Sequence, residues 1–83
     1  MRRPNTFERA VARERQAIHT HERAAVAEDA SAALMEEQAH YETDPTRRDE
    51  LTRRARADRD RADRARGRAV KARKRLADEG VES

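Results

Sequence analysis

In the C-terminal half of the chain, small and apolar residues fall at Leu51, Ala55, Ala62, Ala65, Ala69, Ala72 and Leu76, with Asp58 in the remaining place of the same series. The steps alternate four and three, the period of a coiled-coil seam. The pattern therefore predicts a helix that lies close against another helix. Arginines run beside the seam: Arg54, Arg61, Arg68 and Arg75 on one flank, and Arg59, Arg66 and Arg73 on the other.

The N-terminal half repeats the motif less cleanly. Val11, Ile18, Ala25, Ala32 and Ala39 recur every seven residues. The companion positions Phe7, Glu14, His21, Glu28, Met35 and Glu42 are polar in the middle. Carboxylates buried there would need partners, and arginines of the second helix are in reach. A second stripe, Ala10, Ala17, Ala24 and Ser31, lies alongside, with Ala27, Leu34 and Tyr41 beyond it. The apolar face is wider than one neighbour covers, which suggests two: the second helix and a helix of another chain.

Boundaries follow from capping and turn chemistry. Residues 1–4 form a short basic lead. Asn5 suits an N-cap, with Glu8 placed to complete a capping box, and nothing interrupts a helix over residues 5–43. Pro45 disfavours helical geometry at Asp44 and suits the first turn of a new helix. A turn at 43–46 and a second helix at 45–79 follow, with Gly80 as the stop and residues 80–83 as a frayed tail. Two long helices joined by a short connection predict an antiparallel hairpin, one domain over residues 5–79. The expected fold class is all-α, an Ala-rich coiled-coil hairpin able to dimerise into a four-helix bundle. Folding about Asp44 pairs residues whose numbers sum to about 88. It places Glu22 near Arg66, Asp29 near Arg59, Arg15 near Arg73, and His21 near Gly67, a glycine that reads first as drift at a tolerated site and otherwise as room for a bulky neighbour.

Composition narrows the function. Charged residues make up 45% of the chain and hydrophobic ones 35%, more than half of the latter being alanine. So small an apolar complement leaves a single hairpin short of core, and association with a second copy (a dimer first) or with a helical protein partner would supply it. Charge is segregated. Residues 5–44 hold four basic and nine acidic residues, a net of −5, and residues 45–83 hold fourteen and eight, a net of +6. That asymmetry favours intramolecular pairing and fixes orientation more than it stabilises. The basic tract is also a candidate polyanion site. Arg54, Arg61, Arg64, Arg66, Arg68, Lys71, Arg73, Lys74 and Arg75 would neutralise phosphates of RNA or DNA. No aromatic residue interleaves them, which disfavours base stacking.

Catalysis finds no support. There is no cysteine, no nucleophile elbow, no glycine-rich phosphate loop and no H-E-x-x-H zinc motif. A hairpin offers no deep pocket for a small-molecule substrate. Glu37 and His40 sit three apart on one helical face, but the second helix offers only Asp49 and Glu50 at their level, beside Arg47 and Arg48. No metal or other cofactor is therefore expected. No apolar run spans a membrane, and Arg2 and Arg3 are followed by no apolar signal segment. A cytoplasmic location is the default expectation, and the alanine, arginine and aspartate bias suggests a GC-rich bacterial genome. Within the hairpin the expected interaction seam is Val11, Ile18, Ala25, Ala32, Met35, Leu51, Ala55, Ala62, Ala65, Ala69, Ala72 and Leu76.

Overall fold

A computed structural model describes residues 2–80, so the expected fraying of residues 81–83 lies outside the described residues. Two helices, α1 (Thr6–Tyr41) and α2 (Pro45–Asp78), fold back on each other as an antiparallel hairpin of 62 × 26 × 16 Å. Asn5 caps α1, its side-chain oxygen accepting the Glu8 backbone N–H at 2.7 Å. The Glu8 carboxylate is engaged by Arg2, which stands where the second half of a capping box would be. Asp44 caps α2 in the same way, accepting from the Thr46 N–H at 3.1 Å, with Pro45 in the first helical position.

α1 stops at Tyr41, two residues short of the expected end. Glu42 and Asp44 are extended, Asp44 because of the proline after it. Arg48 of α2 reaches back to the Glu42 carbonyl, its guanidinium donating at 2.6 and 3.1 Å. The Asp44 N–H donates to the Glu42 carboxylate at 3.1 Å. The connection is therefore three residues in which the end of α1 and the start of α2 satisfy each other's polar groups. At the far end Glu79 caps α2 and Gly80 takes the left-handed conformation, φ 76°, that glycine adopts without a Cβ clash.

Every member of the α2 seam is buried: Leu51, Ala55, Asp58, Ala62, Ala65, Ala69, Ala72 and Leu76. On α1 the seven-residue row of Val11, Ile18, Ala25, Ala32 and Ala39 is buried. Its companion row from Glu14 to Glu42, Met35 included, is half-buried, and Phe7 is 54% exposed. Apart from Leu51 beside the turn, core side chains of size gather at the open end, where Val11, Ile18 and Leu76 pack with Ala69 and Ala72. The middle is alanine on alanine: Ala25, Ala62 and Ala65. Such contacts let the backbones approach and gain dispersion, but each methyl removes little surface from water.

Asp58 is the one buried charged residue among the described residues, 4% exposed. It accepts from the Ser31 hydroxyl at 2.7 Å and from the guanidinium of Arg61. No buried side-chain polar atom among the described residues lacks a partner. Gly67 is the tolerated glycine rather than a point of close approach. A Cβ there would meet no atom within 4 Å, because Gly67 lies on the outer side of α2. It admits no neighbour, and His21 sits half-buried at the edge of the seam instead.

Candidate functional site

Two ladders of ion pairs close the flanks of the seam. On the first, Arg59 contacts Asp29 at 3.0 Å and Glu36 at 2.6 Å, Arg66 contacts Asp29 at 2.6 Å, and Arg73 contacts Glu22 at 2.5 Å. Asp29–Arg59 fits the folding register expected from the turn. Glu22 does not take Arg66 but Arg73, one heptad further along. On this flank the lean of side chains toward their own N-termini converges across the antiparallel pair and lets a long arginine reach one heptad beyond its level neighbour, while Arg59 also keeps its level partner Asp29. Arg15 and Arg73, expected to face each other as like charges, line one shallow groove with Ile18 and His19, and Arg73 turns to Glu22.

Asp29 sits between two guanidiniums. The hydrogen bond from Arg66, and after it that from Arg59, holds its carboxyl below the ordinary carboxylate value. The same bonds push the arginines up, Arg59 chiefly through Glu36 and Arg66 chiefly through Asp29. A carboxyl depressed by folding stabilises the fold above its unfolded value, and that contribution is lost as pH falls through the folded value. Thermal melts recorded from neutral pH down through the carboxylate range should show Asp29→Asn less stable than wild type at neutral pH. The gap should close on acidification. A gap that stays constant with pH would mean that the Asp29 charge is not linked to folding.

On the second flank Arg75 contacts Glu14 at 2.5 Å, Arg61 contacts Glu28 at 3.2 Å, and Arg47 approaches Glu42 at 3.7 Å. These carboxylates belong to the polar row of α1, and the arginines of α2 reach them as its burial requires. The ladder has gaps where the row holds His21 and Met35, at the levels of Arg68 and Arg54. Arg54 turns to Glu50 of its own helix at 2.8 Å. Arg68 makes no ion pair among the described residues.

The candidate polyanion-binding residues thus divide. Arg54, Arg61, Arg66, Arg73 and Arg75 are engaged by carboxylates. Arg64, Arg68, Lys71 and Lys74 are exposed and, among the described residues, without an ion pair, spaced four, three and three apart along one side of α2. A shallow groove beside them is lined by Ala24, Glu28, Arg61, Arg64, Ala65 and Arg68.

The other face belongs to α1. Where its inner row is Ala25, Ala32 and Ala39, its outer side exposes Val26 (70%), Leu34 (63%) and Tyr41 (76%) among Ala27, Ala30 and Ala33. Sequence reading recognised the width of this face but left Val26 out of it. The signal that could have placed it is its spacing, four residues before Ala30 and seven before Ala33, beside a further four-three series on α1 from Arg23 through Ala27, Ala30 and Leu34 to Glu37 and Tyr41. Sequence reading also missed the Ser31–Asp58 bond, although each residue had been placed on its stripe.

Glu37 lines an open groove with Gln38, Tyr41, Glu42, Arg47 and Leu51, and the His40 ring meets Tyr41 edge-on at 5.0 Å. Among the described residues no three His, Asp or Glu side chains converge on a point that could hold a metal ion. Among the same residues no helix is long and apolar enough to cross a membrane. Compared with known proteins, the chain matches no family model, no curated protein and no solved structure.

Proposed function

We propose that the protein is a self-assembling helical hairpin, whose task is association rather than catalysis and whose interface is the outer face of α1. One observation carries this reading: at the same levels of the helix, α1 turns Val26, Leu34 and Tyr41 outward and only Ala25, Ala32 and Ala39 inward. A finished fold places its larger apolar side chains in the core. The inversion here marks the hairpin as one part of a larger helical bundle. The flanking ladders support the same view, because they engage the acidic rows of α1 and leave its outer face nearly free of charge.

The test is solution mass with helicity over a dilution series, for wild type and for Val26→Glu/Leu34→Glu. Both positions are exposed, so the hairpin tolerates the change while an apolar interface does not. A helical wild-type species of twice the chain mass, with a variant that stays helical at the single-chain mass, is the expected result. A wild-type chain that is monomeric throughout would overturn self-assembly and direct attention to a helix of another protein.

A second reading rests on Arg64, Arg68, Lys71 and Lys74, which the acidic helix does not neutralise. It makes α2 a surface for nucleic acid, held through phosphates alone. Binding of duplex RNA that collapses between low and moderate salt, and that is lost in Arg68→Glu/Lys71→Glu, would support it. Absence of binding at low salt would remove it.

A further inference from the structure

The exposed seam on α1 has an internal polarity. It begins at Arg23, continues through Ala27, Ala30 and Leu34, and reaches Glu37 before Tyr41. All six residues are exposed. Arg23 and Glu37 make no ion pair among the described residues, although most acidic side chains of α1 do. An apolar strip with an unspent cation at one end and an unspent anion at the other is complementary to itself reversed.

We infer that a second copy lays its own α1 antiparallel on this seam, with the two-fold axis between Ala27 and Ala30, and that Arg23 and Glu37 set that orientation. The inference rests on the proposed self-assembly and adds its direction and register. In this register Ala27 faces the partner's Ala30, and Leu34 lies on the aliphatic stem of the partner's Arg23. The lean of side chains toward their own N-termini carries the partner's guanidinium toward Glu37 and brings Glu37 back to meet it. Inside the hairpin the pairs Arg66–Asp29 and Arg73–Glu22 are offset in the same sense. Two-fold symmetry makes the contact twice. Val26 falls beside the partner's Ala33, and Ala24 beside the partner's Ser31, so both edges of the strip stay small or apolar.

A parallel arrangement would set Arg23 on Arg23 and Glu37 on Glu37. The overall negative charge of α1 does not oppose the antiparallel pair, because Glu14, Glu22, Glu28, Asp29 and Glu36 are each engaged by an arginine of α2. Alanine at the centre lets two helices approach closely, and the arginine-bearing helices then form the outer sides of a four-helix body.

Charge reversal tests the orientation. Arg23→Glu and Glu37→Arg each replace two attractions by two repulsions in an antiparallel dimer. Each variant alone should dissociate roughly tenfold more readily than wild type, or worse, when measured by sedimentation or light scattering at low salt. Mixed in equal amounts, the two variants should recover wild-type affinity, since in the hybrid dimer position 23 of each chain meets the opposite charge at position 37 of the other. Circular dichroism should stay unchanged throughout, because neither residue has an ion-pair partner inside the hairpin. Variants that dimerise as tightly as wild type would overturn the orientation, as would a mixture that fails to recover. If Val26→Glu/Leu34→Glu still abolishes the dimer in that case, self-assembly through this face stands and only the register falls. A monomeric wild type would overturn both.

Discussion

Leu76→Ala is expected to cost the hairpin about 2–5 kcal/mol, the largest loss of any single truncation in the chain. Leu76 is the largest fully buried side chain, 1% exposed, and it fills the space between Val11, Ile18, Ala69 and Ala72. Most other seam positions are already alanine and have little left to remove. Position matters as much as size. The turn at Glu42–Asp44 ties the helices at one end, whereas at the other this cluster is the apolar contact that holds them, flanked by the exposed Glu14–Arg75 and Glu22–Arg73 pairs. A domain of this length is stable by about 4–12 kcal/mol in all, so the loss removes a large part of the total. Urea denaturation followed by circular dichroism measures it. Amide exchange should show protection lost first around Val11 and Leu76, with the turn end retained. Val70→Ala is the control, because Val70 is 63% exposed on the outer side of α2. Equal midpoints for the two variants would mean that the open end contributes nothing.

The seam of α2 was legible in the sequence because every position obeys one period and the competing faces are charged. The inner row of α1 was legible from its seven-residue recurrence, which put Val11, Ile18, Ala25 and Ala32 in the seam. α1 has small or apolar residues on other sides too, and periodicity alone does not say why Ala25 and Ala32 rather than Ala27 and Leu34 turn toward α2. Partner choice in the ladders was half legible. Level pairing found Asp29–Arg59 and also describes Glu14–Arg75 and Glu28–Arg61, but Glu22 takes Arg73 rather than Arg66, because a long arginine can reach more than one carboxylate and register alone does not choose between them. At Gly67 the sequence left two readings, a tolerated glycine and a close approach, since a glycine in a helix carries no sign of its facing, and the open space around it favours the first. The candidate polyanion surface shrank for a related reason: linear density counts arginines that the fold spends on carboxylates.

Rotation is what Asp58 decides, and this leads to a prediction that a simple sum of contacts would not make. Ser31→Ala should destabilise the hairpin by about 1–3 kcal/mol, because it leaves a buried carboxylate short of a hydrogen bond. Asp58→Ala should cost less, since it completes an all-apolar seam and frees only a half-buried hydroxyl and an exposed guanidinium, both of which reach water. The double variant should be no worse than Ser31→Ala alone, so the two changes are strongly non-additive in urea denaturation. Additive costs would show that the hydroxyl and the carboxylate act independently. The loss on removing Asp58 should appear as specificity instead. Were α1 turned to pack Ala27, Ala30 and Leu34 on α2, Ser31 would pass to the opposite edge of the contact, and the loss of its bond to the buried Asp58 would penalise that alternative. In Asp58→Ala both faces of α1 become acceptable to α2. Amide spectra should then show more than one set of signals, and the dimer should weaken, because the face that recruits the second copy competes for the inside of the hairpin. A single set of signals with an unchanged dimer would assign the choice of face to the arginine ladders alone. Under the proposed self-assembly, the charge in the seam serves association indirectly, by keeping the outer face of α1 outside.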